Sequence, residues 1–134
     1  MRADIDKILK VAAETCKKID RSKKHVSIIV CKGKIVSVGT NRFKTHPLAR
    51  KYGYLFEEMH SELDALIKCE PREDLHLFNC RFNSHGEMRI SRPCDKCLPW
   101  CLTVFDTIHY TTNEGFVKMN FHNSDFFQQN KLFK

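Results

Sequence analysis

No stretch of the 134-residue chain approaches the ~20 consecutive apolar residues that a membrane-spanning helix needs, so no membrane partner is expected. The opening segment, MRADIDKILK, alternates charges with aliphatics and lacks the apolar core of a secretory signal, which points to a reducing, cytoplasmic setting. Internal repeats are absent, and so is any linker-like segment. Residues 1–134 therefore read as one domain, long enough to bury a core. Acidic side chains are scarce at one end only. Residues 1–51 hold 14 Lys and Arg against 4 Asp and Glu, whereas residues 52–134 hold 9 against 12, so the net charge of +7 belongs to the first third. A basic face suits an anionic partner, either a nucleotide phosphate or a nucleic-acid backbone. The plainer reading of Lys17, Lys18, Arg21, Lys23 and Lys24 is a solvated helix face.

What is present is an ordinary globular composition, 42% hydrophobic and 10% aromatic, with seven cysteines. In a reducing compartment, free thiols plus a metal site explain that number better than disulfides. Apolar residues at three- and four-residue spacing predict an amphipathic helix over 3–20. The β-branched runs 26–31 and 35–39, around Lys32 and Gly33, predict a hairpin. Residues 41–58 are polar, basic and interrupted by Pro47 and Gly53, hence a long loop. A helix over 59–69 stopped by Pro71, a strand over 75–82 and a short segment at 88–90 follow. Pro93 is expected to open a third helix reaching Val104. Residues 107–111 and 116–119, separated by a tight turn, leave no room for a crossover and predict an antiparallel pair.

The chemistry concentrates in His60, Ser61 and Glu62 and, a strand later, in Pro93, Cys94, Asp95, Lys96 and Cys97. One imidazole and two thiolates supply three zinc ligands, where a structural site would close with a fourth. The open position suits water, and Glu62, not needed as a ligand, is free to move protons. Residues two apart on a helix point in nearly opposite directions. The ion must therefore sit off the end of the second helix, where unpaired N–H groups and the positive dipole favour an anion.

H-x-E followed by P-C-x-x-C is the signature of zinc deaminases of nucleobases. From about Val26 to about Met119 the chain resembles the cytidine and deoxycytidylate deaminase superfamily. The resemblance implies a three-layer α/β/α sandwich around a mixed sheet of about five strands. It also implies one catalytic Zn2+ on His60, Cys94 and Cys97, with Glu62 as catalytic proton carrier, and hydrolysis of a cytosine amino group to give uracil and ammonia. The terminal hairpin is similar to the free-nucleoside branch, although that branch usually has Cys in place of His60; the other branches place a helix there. Where most relatives have Ala, this chain has Ser61, whose backbone resembles the segment that hydrogen-bonds the base edge. Asn41 matches a family asparagine that touches sugar or base, with a plain turn residue as its other reading. Arg42, Lys44, Arg50 and Lys51 lie in the loop that should border the substrate mouth, with Lys44 and Arg50 the expected phosphate contacts of CMP or dCMP.

Other residues have blander readings. Cys101, Cys16, Cys31, Cys69 and Cys80 are expected as core thiols, and Trp100 as a core aromatic. His46 and His85 lack a spaced partner set for a second metal. Two alternatives to a small-molecule deaminase stay open: a cytosine deaminase acting on single-stranded nucleic acid, and a zinc-stabilised binding module without turnover. The family is commonly homo-oligomeric.

Overall fold

The computed structural model describes residues 4–19, 24–41, 60–94 and 97–119. Its elements, in chain order, are α1 (Ile5–Cys16), β1 (Lys24–Cys31), β2 (Lys34–Thr40), α2 (Ser61–Lys68), β3 (Leu75–Phe82), β4 (Met88–Arg89), α3 (Leu98–Val104), β5 (Thr107–Thr112) and β6 (Gly115–Lys118). The six strands form one mixed sheet in the order β2-β1-β3-β5-β6, with β4 also on β3. Only the β3–β5 pairing is parallel. Because β1 takes one edge of β3 along its full length, β5 and β4 divide the other edge between its beginning and its end.

Period-two alternation explains the layers. On β1 and β3, Val26, Ile28, Val30, Phe78, Cys80 and Phe82 share one face, where they meet Ile8, Ala12 and Cys16 of α1 at helical spacing. Ile29, Leu75 and Leu77 share the other face with Leu63 and Leu66 of α2, and with Trp100, Cys101 and Leu102 of α3. Both faces are covered, so the architecture is the expected α/β/α sandwich, with six strands in the sheet. The β5–β6 hairpin is antiparallel, as its spacing predicts. The β1–β2 turn places Lys32 at φ 52° and Gly33 at φ 80°, the two left-handed residues that a type I′ hairpin requires.

Helix ends differ from the expectation. α1 spans Ile5–Cys16, where Asp4 caps it by accepting the Lys7 N–H at 3.1 Å, and the chain leaves through tight turns from Lys18 to Thr15 and Ile19 to Cys16. Lys17 and Lys18 are exposed there, in keeping with a solvated face, whereas Lys24 opens β1 and is half-buried; Arg21 and Lys23 lie outside the described residues. α3 starts at Leu98 rather than Pro93, with Pro99 as the proline of its first turn and Cys97 as its N-cap. A hydrogen bond from Leu98 N to Cys94 O, at 2.8 Å, ties Cys94 to the start of α3. None of the described helices is long and apolar enough to cross a membrane.

Candidate metal centre

His60 ends up at the mouth of α2 rather than in it. As N-cap its backbone is extended, at φ −75° and ψ 147°, and its ring makes no capping hydrogen bond. That frees the imidazole to turn off the helix end, which removes the geometric conflict of two functional side chains two residues apart. His60 Nδ1 lies 3.5 Å from Cys94 Sγ and 3.4 Å from Cys97 Sγ. The three ligand atoms all lie within 4.8 Å of one another, and among the described residues this is the one cluster able to hold a metal ion.

The two thiols divide one proton between them. Donation from Cys97, reinforced by His60 and opposed by burial, lowers Cys94 to about 3. Donating to Cys94, together with burial and the nearby Glu62 carboxyl, pushes Cys97 up. A cation between the sulfurs favours both thiolates and displaces that proton. Cys94 stands ahead of α3 and Cys97 at its N-cap, rather than in the first turn of a helix opened by Pro93.

Glu62 follows in the first turn of α2, 5% exposed and outside the three-ligand set. Burial raises its pKa, partly offset by its own backbone N–H and by His60. Its Oε1 accepts from Ser61 Oγ at 3.1 Å, and Ser61 Oγ lies 2.7 Å from Ser27 Oγ on β1. The Ser61 hydroxyl is thus engaged within the protein.

The rigid seat beneath α2 consists of residues the sequence reading passes over. Gly39 has no room for a Cβ, which would run into Ala65 N and Ser61 O. Ser37 Oγ donates to Ala65 O at 2.6 Å. Asp64, fully buried, accepts through Oδ2 from Thr40 N and from Lys68 Nζ, each at 2.9 Å. Small residues on β1 and β2 therefore let the helix backbone approach the sheet, and Asp64 pins it there. A buried acid two positions after Glu62 in the H-S-E-L-D run was the available signal.

Other expected site residues fall as follows. Asn41 closes the β1–β2 ladder: its Oδ1 accepts from His25 N at 3.0 Å, and its own N–H reaches His25 O at 3.3 Å. Lys44 and Arg50, with Arg42, Lys51 and His46, lie outside the described residues. His85 sits exposed in the turn after β3, where its N–H reaches Asn83 Oδ1, and it joins no metal cluster among the described residues. Cys101, Cys16, Cys69 and Cys80 are buried, Cys31 is half-buried, and none of the seven cysteines forms a disulfide. Trp100 packs against Phe105 in the core. Comparison of the chain with protein-family models and with curated proteins gave no match.

Proposed function

We propose that the protein is a zinc-dependent hydrolase that converts cytosine to uracil in a small nucleoside or nucleotide. The observation that carries this reading is the pairing of a three-donor N/S cluster with a buried carboxyl that is not one of the donors. Donor softness and geometry both favour zinc. With Zn–N near 2.05 Å and Zn–S near 2.3 Å, a tetrahedral site separates N from S by about 3.6 Å, close to the 3.4 and 3.5 Å between His60 Nδ1 and the sulfurs. A zinc ion held there would supply Lewis acidity and a water acidified toward neutral pH.

The protein's own contribution is proton transfer. Glu62 takes one proton of the attacking water and gives it to N3 of the base, which makes C4 electrophilic; it then takes the remaining proton from the hydroxyl added at C4 and passes it to the amino group, which leaves as ammonia while C4 becomes a carbonyl. A carboxyl whose pKa is raised by burial suits this work, since it must both accept and release a proton near neutral pH. The helix N-terminus at the same place favours the negative charge that develops beside it.

Ammonia release across cytidine, deoxycytidine, CMP, dCMP, adenosine and a cytosine-containing oligonucleotide tests the proposal. Turnover of a small cytosine compound is the expected result. Turnover of none, by protein carrying about one zinc per chain, would leave a metal-stabilised binding module as the reading.

A further inference from the structure

A line of buried oxygens runs from Glu62 into the centre of the sheet. Ser61 Oγ lies 3.1 Å from Glu62 Oε1 and 2.7 Å from Ser27 Oγ, and Ser27 Oγ donates to Asn79 Oδ1. Ser27 is 0%, Ser61 1%, Asn79 3% and Glu62 5% exposed. Ser27 and Asn79 are register partners on β1 and β3, so the line starts from hydrogen-bonded, central backbone. Asn79 is itself held at both ends. Its Nδ2 donates to Ser91 O at 2.8 Å, and Ser91 Oγ donates to Asn79 O at 2.6 Å. That fixes which end of the amide faces Ser27: the oxygen, which only accepts.

Ser61 Oγ lies within hydrogen-bond distance of both Glu62 Oε1 and Ser27 Oγ, so this one hydroxyl links the carboxyl to the central strands. Polar side chains in such a place add little stability over apolar ones of the same shape, and here they end on the carboxyl beside the metal cluster.

We propose that Ser61, Ser27 and Asn79 are positioning residues for Glu62: a polar chain anchored in the central strands that holds Oε1 in place and so dedicates the second oxygen to water and base. The chemistry of the proposal rests on the deaminase reading, whereas its geometry does not.

Ser27→Thr and Ser27→Val give a matched pair of nearly equal shape, of which only Thr keeps the hydroxyl. Both should bind zinc as the wild type does. On the preferred cytosine substrate, kcat of the Val variant should fall on the order of 100-fold below the Thr variant with KM little changed, the signature of a misplaced catalytic group. Crystal structures of the zinc-loaded pair should show the Glu62 carboxyl in place with Thr and rotated with Val. Ser61→Ala, a change tolerated in a first helical turn, should lose a similar factor. Its combination with Ser27→Val should lose little more, because both act through one carboxyl. Equal kcat in the Thr and Val variants, or an unmoved Glu62 in the Val variant, would overturn the proposal. If wild type releases no ammonia, the deaminase reading fails instead, and the crystallographic comparison still decides the clamp.

Discussion

Glu62 lies outside the cluster that contains Cys94, and the two should fail in different ways when replaced. Glu62 holds no metal, so Glu62→Gln should keep zinc content and Tm near wild type while turnover drops about 10²- to 10⁴-fold, the usual worth of general acid–base catalysis. Full activity in that variant would show the proton carrier to be misassigned. Cys94→Ala removes a ligand, so it should lose the metal and, with it, thermal stability; elemental analysis beside a melting curve separates the two cases. A third residue-scale effect is acid sensitivity away from the site. His109 stacks on Phe78, with ring centroids 4.2 Å apart and planes 2° apart, and burial holds its pKa below 6.5, as it does for His76. The unfolded chain takes up protons near 6.5 that these rings refuse when folded. Their contribution is therefore present above about pH 6.5 and lost as pH falls through the lowered folded values. His109→Phe should flatten the decline in stability measured by denaturant titration between about pH 7.5 and pH 5. An unchanged slope would place the acid sensitivity elsewhere.

At the scale of elements, the placement of α2 matters most, because it carries Glu62 and is capped by His60. Its seat on β1 and β2 tolerates no side chain at Gly39: a Cβ there would stand 2.7 Å from Ala65 Cα and closer still to backbone atoms of Ala65 and Ser61. Backbone cannot swing aside as a long side chain can. Gly39→Ala should therefore cost about 1–3 kcal/mol and tilt the helix, lowering metal affinity and turnover together even though Gly39 touches neither ligand nor carboxyl. Asp64→Ala tests the same contact from the other side. It leaves the Thr40 N–H without its buried acceptor and should destabilise by about 1.5–3 kcal/mol, the worth of a hydrogen bond to a charged group. The companion ion pair adds little, since the Lys68 side chain is 46% exposed. If either variant melts like wild type, α2 is not held by this seat.

For the whole molecule, a metal ion held by His60, Cys94 and Cys97 would join α2 to the segment before α3, two parts of the chain more than thirty residues apart in sequence. Zinc at about 100 times its Kd should stabilise the fold by about 2.7 kcal/mol, and a strong chelator should reverse the gain. The distribution of charge bears on the substrate. A strand of nucleic acid neutralises several phosphates at once, so its binding should weaken steeply with salt, whereas a single phosphate should respond weakly. Deamination of CMP or dCMP is expected to survive moderate salt and to exceed turnover of an oligonucleotide. Faster turnover of the oligonucleotide, with a steep salt slope, would make single-stranded nucleic acid the substrate.

The sequence by itself determined the elements and the side chains available to a metal, because both depend on local spacing. Alternation on β1 and β3 and four-residue repeats on α1 state which faces are buried, and H-x-E with P-C-x-x-C states which side chains are available to a metal. Pro93 misled the reading of α3: a proline suits a first helical turn wherever it stands, and Pro99 satisfies the rule as well. Only the tertiary structure decided how the carboxyl is held. Ser27, Gly39, Asp64, Asn79 and Ser91 carry no periodic signal, since each is a small or polar residue in a buried position. Their roles come from cross-strand register and from the close approach of α2, contacts between positions 22 or more residues apart, or 12 in the case of Asn79 and Ser91. Spacing along a chain reports which way a side chain faces. It does not report what waits for it there, and hydrogen bonds, unlike burial, require a particular partner.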